Sequence, residues 1–264
     1  MKIGVFDSGL GGLVITKAFV ELMPEYDYVY YGDTAHLPYG EKDSAQILSY
    51  TIEAIKFLIA QNCGLIIIAC NTATSIALRY LQQRFIPAFS PDTKVLGVVI
   101  PTVEEALLDN ARNIGVLATQ ATVHSQIYAT ELHKIKPDLN VTEIAAPELV
   151  PAIENNNFGL AEQKLQEYLA QLPDIDSLIL GCTHYPLLKK CARRTLPENV
   201  HVVSQDELMG QKLQDYLKRH IEIDICLSRN HQLEVLVSHL NEHYRQVAAT
   251  LFPDITVTEV RPHA

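Results

Sequence analysis

Two short stretches of the sequence end alike. Leu65–Thr72 reads LIIIACNT and Ser177–His184 reads SLILGCTH. Each is an apolar run, then a cysteine, then polar residues. A free thiol has a pKa of about 8.5, and a polar or positive neighbour lowers it. Thiol and thiolate are therefore both within reach near neutral pH, as acid–base exchange requires. Inverting an amino-acid α-carbon through a planar carbanion needs a base on one face and an acid on the other. Cys70 and Cys182, brought to opposite walls of one cleft, would supply that pair.

Other chemistries use the same residue types. Cys182 with His184 fits half of a cysteine hydrolase, which needs one nucleophile, a histidine base and an oxyanion hole. That reading leaves Cys70 without a task. A structural zinc site could draw on Cys182, His184 and Cys70, but no close Cys-x-x-Cys pair supports it. A two-lobed binding protein for an acidic ligand would need neither thiol. Cys63, Cys191 and Cys226 read as small buried hydrophobes.

The segment Asp7-Ser8-Gly9-Leu10-Gly11-Gly12-Leu13 is a glycine-rich turn from a strand into a helix. It matches neither phosphate-binding fingerprint, and no lysine follows its glycines. Asp7 at its mouth would repel a phosphate. Its N–H groups and the Ser8 hydroxyl are expected to meet a smaller anion, a carboxylate.

The elements that must position these groups alternate. Strands are predicted at 2–6, 28–31, 65–69, 95–100, 114–117, 141–144, 178–180 and 200–203. Helices are predicted at 13–22, 45–61, 74–85, 103–110, 124–134, 161–171, 187–195 and 208–220. The stretch 232–251 reads as helix and 255–260 as a late strand. This alternation predicts an α/β fold with mainly parallel sheets flanked by helices. The chain also repeats itself. Ile3-Gly4-Val5 recurs as Ile114-Gly115-Val116, 111 residues on; Cys70-Asn71-Thr72 is answered by Cys182-Thr183-His184, 112 on; Pro38 is answered by Pro151, 113 on. The shared offset predicts two pseudo-symmetric domains, 1–97 with 207–264 and 98–206, with the active site in the cleft between them.

Composition narrows the field. The chain has 264 residues, 48% of them hydrophobic, enough for a sizeable core. A net charge of −10 argues against nucleic acid or an anionic membrane as partner. No stretch reads as a membrane span or export signal. Five cysteines without a dense framework fit free thiols and a cytoplasmic location.

Four stretches together resemble bacterial glutamate racemases of the aspartate/glutamate racemase superfamily. They are Phe6 to Gly12, Tyr31 to Gly40, Ala69 to Thr74 and Gly181 to Leu187, the last reading GCTHYPL. The resemblance implies cofactor-independent racemisation of L- and D-glutamate, with no metal, feeding peptidoglycan synthesis, by a protein that is commonly a homodimer. It implies that Cys70 takes the α-proton of D-glutamate and Cys182 that of L-glutamate. It makes Asp7, Glu154 and His184 polar helpers of the thiols, with Glu148 the other acidic candidate beside Cys182. Around the substrate it implies Asp7, Ser8, Tyr39, Gly40, Asn71, Thr72, Thr119, Thr122, Thr183 and His184. The sibling activity, aspartate racemisation, is disfavoured by His184, where those enzymes tend to carry an acidic residue. The chain departs from the family's pattern at Ile100-Pro101-Thr102, Ala118 and Ala146.

Overall fold

The structure is a computed structural model and describes residues 1–261. The last three residues of the expected 207–264 segment lie outside the described residues. Among the described residues ten strands form two sheets. They are β1 Lys2–Asp7, β2 Tyr28–Gly32, β3 Cys63–Ile68, β4 Lys94–Gly97, β5 Asn113–Ala118, β6 Asn140–Ala145, β7 Ser177–Gly181, β8 His201–Val203, β9 Leu233–Val237 and β10 Val257–Glu259. The first sheet runs β10-β9-β2-β1-β3-β4 and the second β6-β5-β7-β8. Every strand pair is parallel.

Parallel sheets need helical crossovers, which cover both faces. That is why the central strands are continuous apolar runs rather than alternating ones. Every residue of β2, β3 and β7 is buried. The buried apolar side chains fall into three groups. One holds residues of both sheets, among them Val5, Val116 and Ile179. The others lie behind the first sheet, around Ile55 and Ile66, and behind the second, around Leu165 and Leu178.

Strand order β2-β1-β3-β4 recurs as β6-β5-β7-β8. The near-constant offset in the sequence thus has a counterpart in topology. The first sheet differs by two strands from the chain's end, β9 and β10, added beside β2.

Several expected elements move. The stretch 232–251 is not one helix: Leu233–Val237 is a strand paired with β2, and the helix is Glu242–Leu251. An LEVLV run carries two β-branched residues, and burial inside a sheet decides it. The expected strand 95–100 stops at Gly97, and Val99 already belongs to the helix Val99–Ala106. Helix 74–85 begins earlier, at Asn71, and its last turn is wound as a π-helix over Leu81–Phe85. The short helix Leu149–Glu154 was not foreseen. Cys226 is exposed, not a buried hydrophobe, whereas Cys63 and Cys191 are buried. Among the described residues no helix is long and apolar enough to cross a membrane.

Candidate active site

The side chains singled out by chemistry stand at carboxyl ends of parallel strands, where open α/β sheets carry their ligand crevice. Asp7 ends β1. Cys70 follows β3 and is the N-cap of the helix Asn71–Tyr80. Thr119 follows β5 and caps Gln120–Ser125. Cys182 follows β7. Cys70 and Cys182 line a single cleft, together with Ser8, Tyr39, Gly40, Asn71, Thr72, Thr119, Thr183 and His184. Three expected residues, Asp7, Thr122 and Glu154, are not part of that lining.

The two thiols have different surroundings. Cys70 Sγ accepts the Ala73 amide at 3.4 Å, an N-cap contact. It lies 3.6 Å from Ser8 Oγ. Burial pushes its pKa up to about 12, and the Asp7 carboxylate adds to the rise. The sequence expectation of an environment that lowers the thiol pKa is therefore not met at Cys70. At that value the group is a thiol near neutral pH.

Cys182 faces a histidine instead. His184 Nδ1 is 3.7 Å from Cys182 Sγ, and His184 Nε2 is 2.5 Å from Glu154 Oε1. Burial alone would strip the ring of its proton. The sulfur on one side and the carboxylate on the other outweigh it, and the imidazole pKa stands well above its ordinary value. Burial likewise opposes ionisation of Glu154, but the His184 hydrogen bond and charge win and lower its pKa. Glu154, not Glu148, is the acidic partner here. Glu148 is half-exposed and pairs with Lys164 at 3.7 Å.

Asp7 is fully buried under the cleft. Its Oδ2 accepts the Gly9 and Gly12 amides, each at 3.0 Å, and its Oδ1 accepts the Thr183 hydroxyl at 3.1 Å. The Leu10 amide donates to Glu154 Oε1 at 3.1 Å. The expectation that the glycine loop offers its amides to a substrate carboxylate is corrected at these three positions. They hold the protein's own acids. Burial still pushes the Asp7 pKa up, against the pull of the His184 charge and those hydrogen bonds. The glycines permit this closeness. A methyl at Gly12 would lie 2.2 Å from Asp7 Cβ, and one at Gly11 would lie 2.4 Å from the Thr183 carbonyl carbon.

The remaining expected residues divide by what their polar atoms touch. Thr72 Oγ1 and Thr119 Oγ1 are 2.8 Å apart, and Thr119 Oγ1 is 2.9 Å from Thr122 Oγ1. The Tyr39 hydroxyl donates to Asp33 Oδ2 at 2.6 Å, so it is occupied away from the cleft. Gly40 is packed against Thr119, whose Cβ lies 2.7 Å from where a Gly40 Cβ would stand. Asn71 is bonded to Gln205 and Tyr128. Sequence reasoning did not find Asp33, Gln205 or Tyr128. Nothing near the cysteines in sequence marks Gln205 or Tyr128. Asp33 lies within one of the resembling stretches, and a buried Asp one residue after a strand was the signal that could have raised it.

Two buried thiols thus line one cleft, one beside a histidine whose pKa is raised and one near a buried acid. Residues 12–206 match the family model described as Asp/Glu/Hydantoin racemase. The chain belongs to this racemase family and is an isomerase acting as an amino-acid racemase. Glutamate racemase from Dinoroseobacter shibae is 37% identical over 235 residues, which cover 83% of this chain and 85% of that protein. Among solved structures, an isoform of glutamate racemase from Bacillus anthracis aligns with TM-score 0.88 and 31% identity over 98% of this chain and 97% of its own. Glutamate racemase from Francisella tularensis, solved with D-glutamate, aligns with TM-score 0.86 and 32% identity over 99% and 97%.

Proposed function

We propose that this chain interconverts L- and D-glutamate through the two thiols, without a cofactor. Cys182 removes the α-proton of L-glutamate and Cys70 delivers one to the opposite face. D-glutamate runs the same path backwards. The single observation that carries this reading is the presence of both thiols in one cleft with unequal partners. Cys70 is a neutral thiol in the free protein. His184, held protonated by Glu154, offers its positive ring to Cys182. The two thiols thus meet the substrate with unequal neighbours, Ser8 beside Cys70 and His184 beside Cys182.

Hydroxyls of Ser8, Thr72 and Thr119 and main-chain N–H groups of Tyr39, Gly40 and Thr183 hold the two carboxylates and spread the carbanion's charge. Asn71 and Thr122 support those groups. The substrate's own ammonium offsets the negative charge of Asp7 near Cys70. The domains that carry the two walls are 1–97 with 207–264, and 98–206; the recurring strand order supports this division. Glutamate, rather than aspartate, is the substrate favoured by the named relatives, one of them solved with D-glutamate. The D-glutamate formed serves peptidoglycan synthesis.

The test is turnover of each enantiomer in deuterated water with no added cofactor. Racemisation with α-deuteration of the product is expected from both directions. Comparable turnover of L-aspartate would move the assignment to the sibling activity. No turnover of either amino acid would return the chain to the binding-protein reading.

A further inference from the structure

Gln205 is fully buried and lies outside the cleft lining. Its side-chain amide forms a closed pair with that of Asn71. Asn71 Nδ2 donates to Gln205 Oε1 at 2.8 Å, and Gln205 Nε2 donates to Asn71 Oδ1 at 2.9 Å. The pairing fixes both amide orientations, since flipping either one alone would face donor with donor. Gln205 Nε2 also donates to Thr102 Oγ1 at 3.0 Å. The Tyr128 hydroxyl donates to Asn71 Oδ1 at 2.6 Å. Thr102 hands its own proton to the Val98 carbonyl at 2.6 Å. All four side chains are buried, and each finds partners.

The places these residues occupy in the chain matter most. Asn71 directly follows Cys70 and opens the helix of the first wall. Thr102 lies on the helix Val99–Ala106, where the chain passes from the first sheet to the second. Gln205 opens the helix Gln205–Arg219, where it passes back. Tyr128 lies on the helix Ile127–Ile135, between β5 and β6 of the second sheet. Both crossings between the sheets therefore meet at one polar cluster, and that cluster grips the residue next to one thiol.

We infer that Gln205 is a positioning residue that sets the span between the two thiols, by locking Asn71 to both interdomain crossings. The inference rests on the two-thiol reading above. A racemase needs both sulfurs in register with one carbon, and misplacement by an ångström costs on the order of 100-fold. A reaction that uses one sulfur is indifferent to the span. Elimination from 3-chloroglutamate is such a reaction. One thiolate takes the α-proton, the C–H electron pair forms the α,β double bond, and chloride leaves with the C–Cl pair. The enamine then tautomerises and takes up water, giving 2-oxoglutarate and ammonium.

The experiment compares Gln205→Met, which keeps bulk but loses the amide, with Tyr128→Phe, which loses only the hydroxyl bonded to Asn71. For each, racemisation of L-glutamate and elimination from L-3-chloroglutamate, the enantiomer served by Cys182, are measured. Gln205→Met should lower the racemisation kcat by about 10- to 100-fold, with KM within about threefold, while elimination stays within about threefold of wild type. Tyr128→Phe should show the same split, less deeply. If both reactions fall together, or racemisation is unchanged in both variants, Gln205 does not set the span. Cys70→Ser run alongside separates the two levels. It must lose racemisation and keep elimination from the L-enantiomer. If it keeps racemisation, the two-thiol reading fails and takes this inference with it. If it behaves as stated while Gln205→Met shows no split, the inference alone falls.

Discussion

Glu154 Oε1 stands 2.5 Å from His184 Nε2, and the same oxygen takes the Leu10 amide. One carboxylate thus holds a proton on the ring beside Cys182 and ties the two walls together.

The pair should be visible in stability against pH. His184 is raised above 6.5 in the fold, so its contribution is full below 6.5 and is lost as pH climbs through the folded value. Glu154 is lowered below 4.5, so its contribution is full above 4.5 and is lost as pH falls through the folded value. The wild-type urea midpoint should be highest between these limits and should drop on both sides. Glu154→Gln should flatten both limbs and slow turnover of L-glutamate by about 100-fold, the scale of a lost acid–base helper. An unchanged pH profile in Glu154→Gln would break the link.

Cys70 should resist alkylation in the free protein. With a pKa of about 12, its thiolate fraction at pH 7 is about 1 in 10⁵, and its rate should climb about tenfold per pH unit. Cys226, which is exposed, should be modified first. Peptide mapping after iodoacetamide treatment at several pH values reads both sites. Asp7→Asn, which removes the nearby negative charge, should speed Cys70 modification. Reaction of wild-type Cys70 at the pace of Cys226 at pH 7 would contradict the buried neutral thiol.

Asp7→Asn should also trade activity for stability. The fold holds the Asp7 carboxylate at a cost, since burial raises its pKa. An asparagine oxygen can still accept the Gly9 and Gly12 amides. The denaturation midpoint at pH 7 should therefore stay level or rise, while racemisation falls. A large loss of stability would mean that the charge itself supports the loop.

Either Cys→Ser change should cut racemisation by about 10²- to 10⁴-fold, because an alkoxide is out of reach near neutral pH. The damage should be one-sided on a β-substituted analogue. Cys182→Ser should spare elimination from the D-enantiomer and Cys70→Ser that from the L-enantiomer. A single cysteine that proves dispensable for racemisation would leave the repeated Cys-Thr pattern as ancestry only.

Gly11→Ala should wedge the walls apart. Its methyl would meet the Thr183 main chain, which cannot yield as a flexible side chain can. A loss of about 1–3 kcal/mol is expected from such overpacking, read from denaturant unfolding. Activity should fall further than that loss explains, because Thr183 adjoins Cys182. Near wild-type behaviour would show that the loop has slack.

Much of this site could be read from the chain because its parts are local. Asp7-Ser8, Cys70-Asn71-Thr72 and Cys182-Thr183-His184 each follow an apolar strand, and strand ends are where parallel sheets place ligands. Gln205 and Tyr128 were missed because their role exists only between elements distant in sequence. Tyr39 was found, but the direction of its hydroxyl was not, since Asp33 captures it in the fold. Strand β9 was hidden because five residues of LEVLV fit a helix face as well as a buried strand, and only pairing with β2 decides between them.

The added strand has a bearing on how the molecule is made. The 98–206 segment is continuous, and its sheet is built wholly from its own residues. The other sheet stays open along β2 until Leu233–Val237 joins it, and the face of Gly11–Leu22 waits for Gln205–Arg219. On a ribosome, the half that emerges first is therefore closed last. Until then the free hydrogen-bonding edge of β2 stands without cover, an invitation to wrong pairing that only the arrival of Leu233–Val237 removes.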